Sequence, residues 1–229
     1  MIADRLTEVR ARIAAAARSV GRNPLTVRLI AVSKTIALDR ILEAYAAGQR
    51  DFGENRVQEA LQKIQSSTDF LISWHLLGHL QTNKARKAGA VFATIQSVDD
   101  VELLEKIDVA AVEAGTNPEL LIQVDLAGEA SKFGTPPAEV PRLFEAADRL
   151  RAARVVGLMI LPPLASEPEN ARPWFRQAHE LREGWLAAGV PHPMLRELSM
   201  GMSGDFEVAI QEGATMVRVG TAIFGSRHV

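Results

Sequence analysis

The sequence predicts an α/β fold: a (β/α)8 TIM barrel in a single domain, with an extra helix at the N-terminus. Three observations carry this expectation. Strand-like and helix-like runs alternate eight times along the chain. Several strand runs are near-continuously apolar, as in parallel strands covered on both faces. No Pro/Gly-rich linker, composition break or low-complexity run divides residues 1–229. An open, doubly wound sheet is the alternative arrangement of the same elements.

The N-terminal segment places Ile2, Leu6, Val9, Ile13 and Val20 on one helical stripe that ends at "GRNP". "VRLIAVS" (27–33) is the first strand, and "LDRILEAYAAG" (38–48) its helix, stopped by Gly48. "RDFGE" (50–54) and "NRVQEALQKIQ" (55–65) form the second pair, and "SWHLLGH" (73–79) and "TNKARKAG" (82–89) the third. "FATIQSV" (92–98) is the fourth strand, with Asp99 as the expected cap of a helix reaching Gly115. "ELLIQVDL" (119–126) precedes "PPAEVPRLFEAADRL" (136–150), whose prolines suit a helix start. "RVVGLMIL" (154–161) leads to a helix over 169–188, "MLRELS" (194–199) to "SGDFEVAIQEG" (203–213), and "TMVRVG" (215–220) is the eighth strand. Nine residues follow Gly220, too few for a full eighth helix, so the N-terminal helix is expected to fill that place or cover the barrel.

Composition narrows the function. The hydrophobic fraction is 47%, ample for a large core. A net charge of −2 gives no general attraction to nucleic acid or anionic membrane. With no cysteine, disulfides, thiolate metal sites and a cysteine nucleophile are excluded, which fits a cytoplasmic setting. No apolar run reaches the ~18–20 residues of a membrane span, and the charged N-terminus lacks a signal-peptide core. His75 and His79, four apart on or beside a strand, offer no chelating face, so no metal site is expected. The basic "NKARK" (83–87) reads as a solvated helix face.

Barrels of this kind build their sites where strands end and βα loops begin. Lys34 follows the first strand directly. It reads either as a solvated end-of-strand lysine or as an amine at the rim of the core whose pKa can fall and which can attack a carbonyl. Gly220-Thr221, after the last strand, is either a phosphate-binding turn or an ordinary glycine turn. Arg218 lies inside an apolar strand and needs a buried partner. Ser199 ends the seventh strand and is free to donate to a phosphate if Ser203 caps the next helix. A rim lysine facing a phosphate site suits an aldehyde-bearing phosphate ester. Pyridoxal 5′-phosphate (PLP) and the substrate of a sugar-phosphate aldolase both qualify.

Six segments, "AVSKT", "FGENRVQE", "WHLLGHLQTNK", "SKFG", "GLMILPP" and "LSMGMSGDFEVAIQEGATMVRVGTAIFG", resemble the YggS/PROSC family of PLP homeostasis proteins, related to the barrel domain of alanine racemase. The resemblance runs from about residue 27 to 225. It implies that Lys34 forms a Schiff base with PLP and that Asn55 lies against the ring region. It also implies that Ser199, Gly220 and Thr221 hold the phosphate, and that Arg218 faces the pyridine nitrogen. Met159 and Met200 to Met202 are expected to line the pocket, and Lys132 of "SKFG" is a conceivable second PLP contact, more simply a solvated loop lysine. The implied function is intracellular PLP storage, buffering or delivery, with PLP-dependent apoenzymes as partners. The protein is expected to be a non-catalytic monomer; an amino-acid racemase is the alternative. The resemblance implies that the racemases add a tyrosine from a separate β domain, and this chain is expected to have no such domain after residue 229. Tyr45, the chain's single tyrosine, reads as helix packing.

Overall fold

The apolar runs close into a barrel of eight parallel strands in a computed structural model that describes residues 1–128, 133–163 and 166–225. The strands are β1 (Arg28–Val32), β2 (Asp51–Glu54), β3 (Ser73–Leu76), β4 (Thr94–Val98), β5 (Glu119–Val124), β6 (Arg154–Ile160), β7 (Glu197–Ser199) and β8 (Met216–Val219). Each pairs with the next, and β8 closes on β1 with Arg218 opposite Ile30. The helices are α1 (Ile2–Ser19), α2 (Leu38–Ala46), α3 (Val57–Gln65), α4 (Ala85–Val91), α5 (Val101–Ala114), α6 (Val140–Ala147), α7 (Arg172–Ala187), α8 (Phe206–Gln211) and α9 (Thr221–Phe224).

The apolar stripe of α1 is buried at Ile2, Leu6, Val9 and Ile13 and packs on α2, α8 and α9. It therefore covers the flank that α9, a single turn, leaves open. Most of the core lies between the outer barrel face and the helices. Inside the barrel, Leu121, Val156, Met159 and Met216 form a separate apolar cluster.

Several boundaries differ from the sequence expectation, each for a local reason. Asp100, not Asp99, caps α5, its Oδ1 accepting the Leu103 N–H at 2.7 Å, while Asp99 turns to His79. β3 stops at Leu76, and beyond it Gly78 packs against the Asn55 carbonyl in the loop that follows β2. The segment before β7 is a turn over His192–Leu195, where Pro193 offers no N–H to a sheet. A short turn, Thr82–Lys84, precedes α4. Asp108 of α5 binds the strand-6 approach: its carboxylate accepts from the backbone N–H groups of Arg151, Ala152 and Ala153 at 2.8–3.1 Å.

Candidate functional site

Lys34 sits half-buried in the turn that leaves β1. The residues on either side of it are tied to α3. Lys63 Nζ donates to the Ser33 carbonyl at 2.8 Å, and the Thr35 N–H donates to Glu59 Oε1 at 2.6 Å. Ser33 Oγ donates to Glu54 Oε1 at 2.5 Å. Lys63 also reaches Glu54 and Glu59, at 2.8 and 2.7 Å, so one ammonium serves two carboxylates. The two acids respond in opposite directions. Burial raises the Glu54 carboxyl above the usual range, although Lys63 and Ser33 work against it. Burial acts the same way on Glu59, but Lys63 and the Thr35 N–H outweigh it and leave it below the usual range. Thr35 has φ 63°, a left-handed conformation unfavourable for a β-branched residue.

The β8 loop lies against this turn. A Cβ on Gly220 would stand 3.3 Å from both Cβ and the carbonyl oxygen of Val32, so glycine lets the end of β8 approach the end of β1 closely. The N–H groups of Gly220 and Ala222 converge on Ser203 Oγ at 3.1 and 3.5 Å. An acceptor oxygen thus already marks a point where two backbone donors meet. Thr221, between them, is exposed. Ser203 therefore belongs to the β8 turn at the start of α9 and does not cap α8; Asp205 precedes α8 and accepts the Met202 N–H at 2.6 Å. Asn55 is half-buried beyond β2, and its carbonyl would lie 2.2 Å from a Cβ on Gly78, so only glycine fits there.

Ser199 is placed differently from the sequence expectation. It is fully buried, and its hydroxyl accepts from Arg218 Nη1 at 2.6 Å and donates to Gln96 Oε1 at 2.6 Å. Its one proton is thereby committed inside the barrel, away from the loop where Ser203 meets Gly220. Arg218 is 4% exposed, and its Nη2 donates to the Ile160 carbonyl at 2.8 Å. Among the described residues no carboxylate forms an ion pair with it. Burial lowers its pKa to about 10, against the opposing field of Asp205, so the guanidinium stays charged at neutral pH. Met159 and Met200 are fully buried packing residues; Met202 is 37% exposed. Lys132 lies outside the described residues. The sequence gives Ser203 as the expected cap of the next helix and singles out none of Glu59, Lys63 and Gln96. Gln96 carried the same signal as Arg218, a polar side chain in a buried strand; Glu59 and Lys63 were indistinguishable from a solvated helix face.

A half-buried lysine leaving β1, a donor-lined turn leaving β8 and a buried arginine in β8 meet at one end of an alanine-racemase-type barrel, a class that the match to a family model shows. Residues 5–228 match the family model for the alanine racemase N-terminal domain. More narrowly, the chain belongs to the pyridoxal phosphate homeostasis protein family. It is 43% identical to the member from Pseudomonas aeruginosa, over 99% of this chain and 96% of that protein. It is 40% identical to the member from Aquifex aeolicus, over 98% and 97%. Among solved structures, PipY of Synechococcus elongatus PCC7942 without PLP is 44% identical, covers 98% of this chain and 100% of its own, and superposes with a TM-score of 0.85. PipY with PLP bound gives 43% identity and a TM-score of 0.84. Alanine racemase of Clostridium difficile 630, 17% identical with a TM-score of 0.72, shares the fold over 99% of this chain and 58% of the racemase.

Proposed function

We propose that this chain binds PLP at the barrel mouth through Lys34 and maintains the cofactor pool without turning over amino acids. The observation that carries the reading is the contact of Gly220 with Val32, which sets the lysine turn beside a turn whose backbone donors already converge on a hydroxyl oxygen. Lys34 supplies the amine. Ser203, Gly220 and Thr221 hold the phosphate, Asn55 lies beside the ring, and Arg218 faces the ring nitrogen. When bound, PLP supplies an aldehyde that links reversibly to an amine and a ring that withdraws electrons most strongly with its nitrogen protonated. Arg218 has donors only, so facing that nitrogen it keeps the proton off and the withdrawal weak.

Tyr45, the single tyrosine, lies on α2, where its hydroxyl accepts the Leu71 N–H at 3.3 Å and its ring meets Phe70 edge-on. Its position supports storage or delivery to PLP-dependent apoenzymes over racemase chemistry. Among the described residues, no helix is long and apolar enough to cross a membrane. The test is an absorbance spectrum of the purified protein with PLP, followed by incubation with L-alanine and chiral analysis. A PLP-protein band without D-alanine is expected. Sustained racemisation, lost in Lys34→Ala, would replace this reading with an enzyme.

A further inference from the structure

Inside the barrel, one continuous run of side-chain hydrogen bonds begins at Arg218 and ends at Asp51. Arg218 Nη1 lies 2.6 Å from Ser199 Oγ, Ser199 Oγ 2.6 Å from Gln96 Oε1, Gln96 Nε2 3.3 Å from His75 Nδ1, and His75 Nε2 3.0 Å from Asp51 Oδ1. The links come from β8, β7, β4, β3 and β2. Arg218, Ser199, Gln96 and His75 are buried; the Asp51 side chain is 25% exposed.

The chemistry of the two ends fixes the direction of every link. A guanidinium only donates, so Ser199 accepts from Arg218; its other contact is with the Gln96 amide oxygen, which only accepts, so the Ser199 proton goes there. Gln96 then turns its carbonyl to Ser199 and its amide N–H groups the other way. The same nitrogen lies 3.7 Å from the Met216 thioether, a weak acceptor, in agreement with this orientation. His75 Nδ1 must therefore accept, and its ring proton resides on Nε2. That proton goes to Asp51, which as a carboxylate only accepts; Ser73 Oγ, at 3.5 Å from Nε2, is the longer contact. Reversing one link would set two donors or two acceptors against each other, at a penalty for buried groups.

We propose that this run is a positioning device for Arg218. Asp51 fixes the tautomer of His75, His75 fixes the orientation of the Gln96 amide, Gln96 fixes the Ser199 proton, and Ser199 holds the guanidinium in place. Asp51, His75 and Gln96 are thus positioning residues for the cofactor site, acting through Arg218. The role rests on the PLP reading above; the tautomer it demands does not.

The test has two arms. In the unloaded protein, 15N NMR should find His75 as the neutral Nε2–H tautomer. The Nδ1–H tautomer or the imidazolium would overturn the proposal whether or not PLP binds. In the second arm, PLP is titrated into Gln96→Met, Gln96→Glu and Ser199→Ala. Methionine removes both hydrogen bonds, and alanine leaves Arg218 Nη1 without its acceptor. Each should weaken PLP binding at least about tenfold and shift the band of the bound cofactor. Glutamate still accepts from Ser199, with His75 taking up a second proton to donate to it. It should keep wild-type affinity within about threefold and leave the band unchanged. If Gln96→Glu fails to fold, Ser199→Ala against wild type decides. Equal losses in the folded glutamate and methionine variants, or no loss in Ser199→Ala, would overturn the proposal. Wild type that binds no PLP would instead remove the cofactor reading, and the positioning role with it.

Discussion

Replacing Thr35 by glycine should stabilise the fold while weakening the cofactor site. Among the described residues Thr35 is the only non-glycine with a positive φ, at 63°. Strain of a β-branched residue in that region is about 1–2 kcal/mol. Glycine relieves it but gives the unfolded chain more freedom, offsetting about 0.4–1 kcal/mol. Thr35 is exposed, so little packing is lost, and glycine keeps the N–H that donates to Glu59. The net expectation is a gain of about 0.5–1 kcal/mol. The turn carrying Lys34, however, loses its single-conformation restraint. Reordering one glycine on binding is worth about 1 kcal/mol, which weakens PLP affinity about fivefold. Urea denaturation with an unchanged m-value reads the first effect, and absorbance titration the second. A destabilisation above about 1 kcal/mol would show that Thr35 is not strained. Unchanged affinity would show that its conformation does not position Lys34.

Asp108→Ala removes the acceptor for three consecutive backbone N–H groups, one of them buried, and should destabilise by about 2–4 kcal/mol in chemical denaturation. Ser203→Ala should weaken PLP about tenfold or more while barely changing affinity for pyridoxal, as paired titrations would show. Glu54 and Glu59 share Lys63 but shift oppositely, so their glutamine variants should show opposite pH trends in stability. The Glu59 carboxyl is lowered, so its stabilisation is full above the usual carboxylate pKa and lost as pH falls through its folded value. The Glu54 carboxyl is raised, so the fold loses stability as pH rises from the usual value through the folded one, and Glu54→Gln escapes that loss. Parallel urea titrations from pH 4 to pH 7 should therefore show the advantage of wild type growing with pH over Glu59→Gln and shrinking over Glu54→Gln.

The barrel was legible because buried parallel strands impose long apolar runs such as Leu29–Ala31 and Leu120–Ile122, and each needs a helix before the next. Strand ends were less legible: the stop of β3 depends on Gly78 meeting the Asn55 carbonyl, a contact between distant segments. Lys34, Gly220 and Thr221 could be placed because they follow strands directly. The two serines of "LSMGMS" could not be sorted. Ser199 ends β7 and Ser203 lies four residues on, and which one faces the barrel interior depends on Gln96 and Arg218, far away in the chain. A capping rule based on neighbours alone made Ser203 the cap, whereas the β8 turn claims it. The polar links at His75 and Asp51 were equally invisible, because alternation along a strand does not reveal partners across a barrel.

The central claim is that Lys34 is the covalent anchor for PLP. Borohydride reduction of the PLP-loaded protein, followed by peptide mapping, tests it most directly. The pyridoxyl group is expected on the peptide containing Lys34 and is expected to be lost in Lys34→Ala, with the far-ultraviolet circular dichroism unchanged. A pyridoxyl group mainly on Lys63, Lys84 or Lys132, or undiminished labelling in Lys34→Ala, would contradict it.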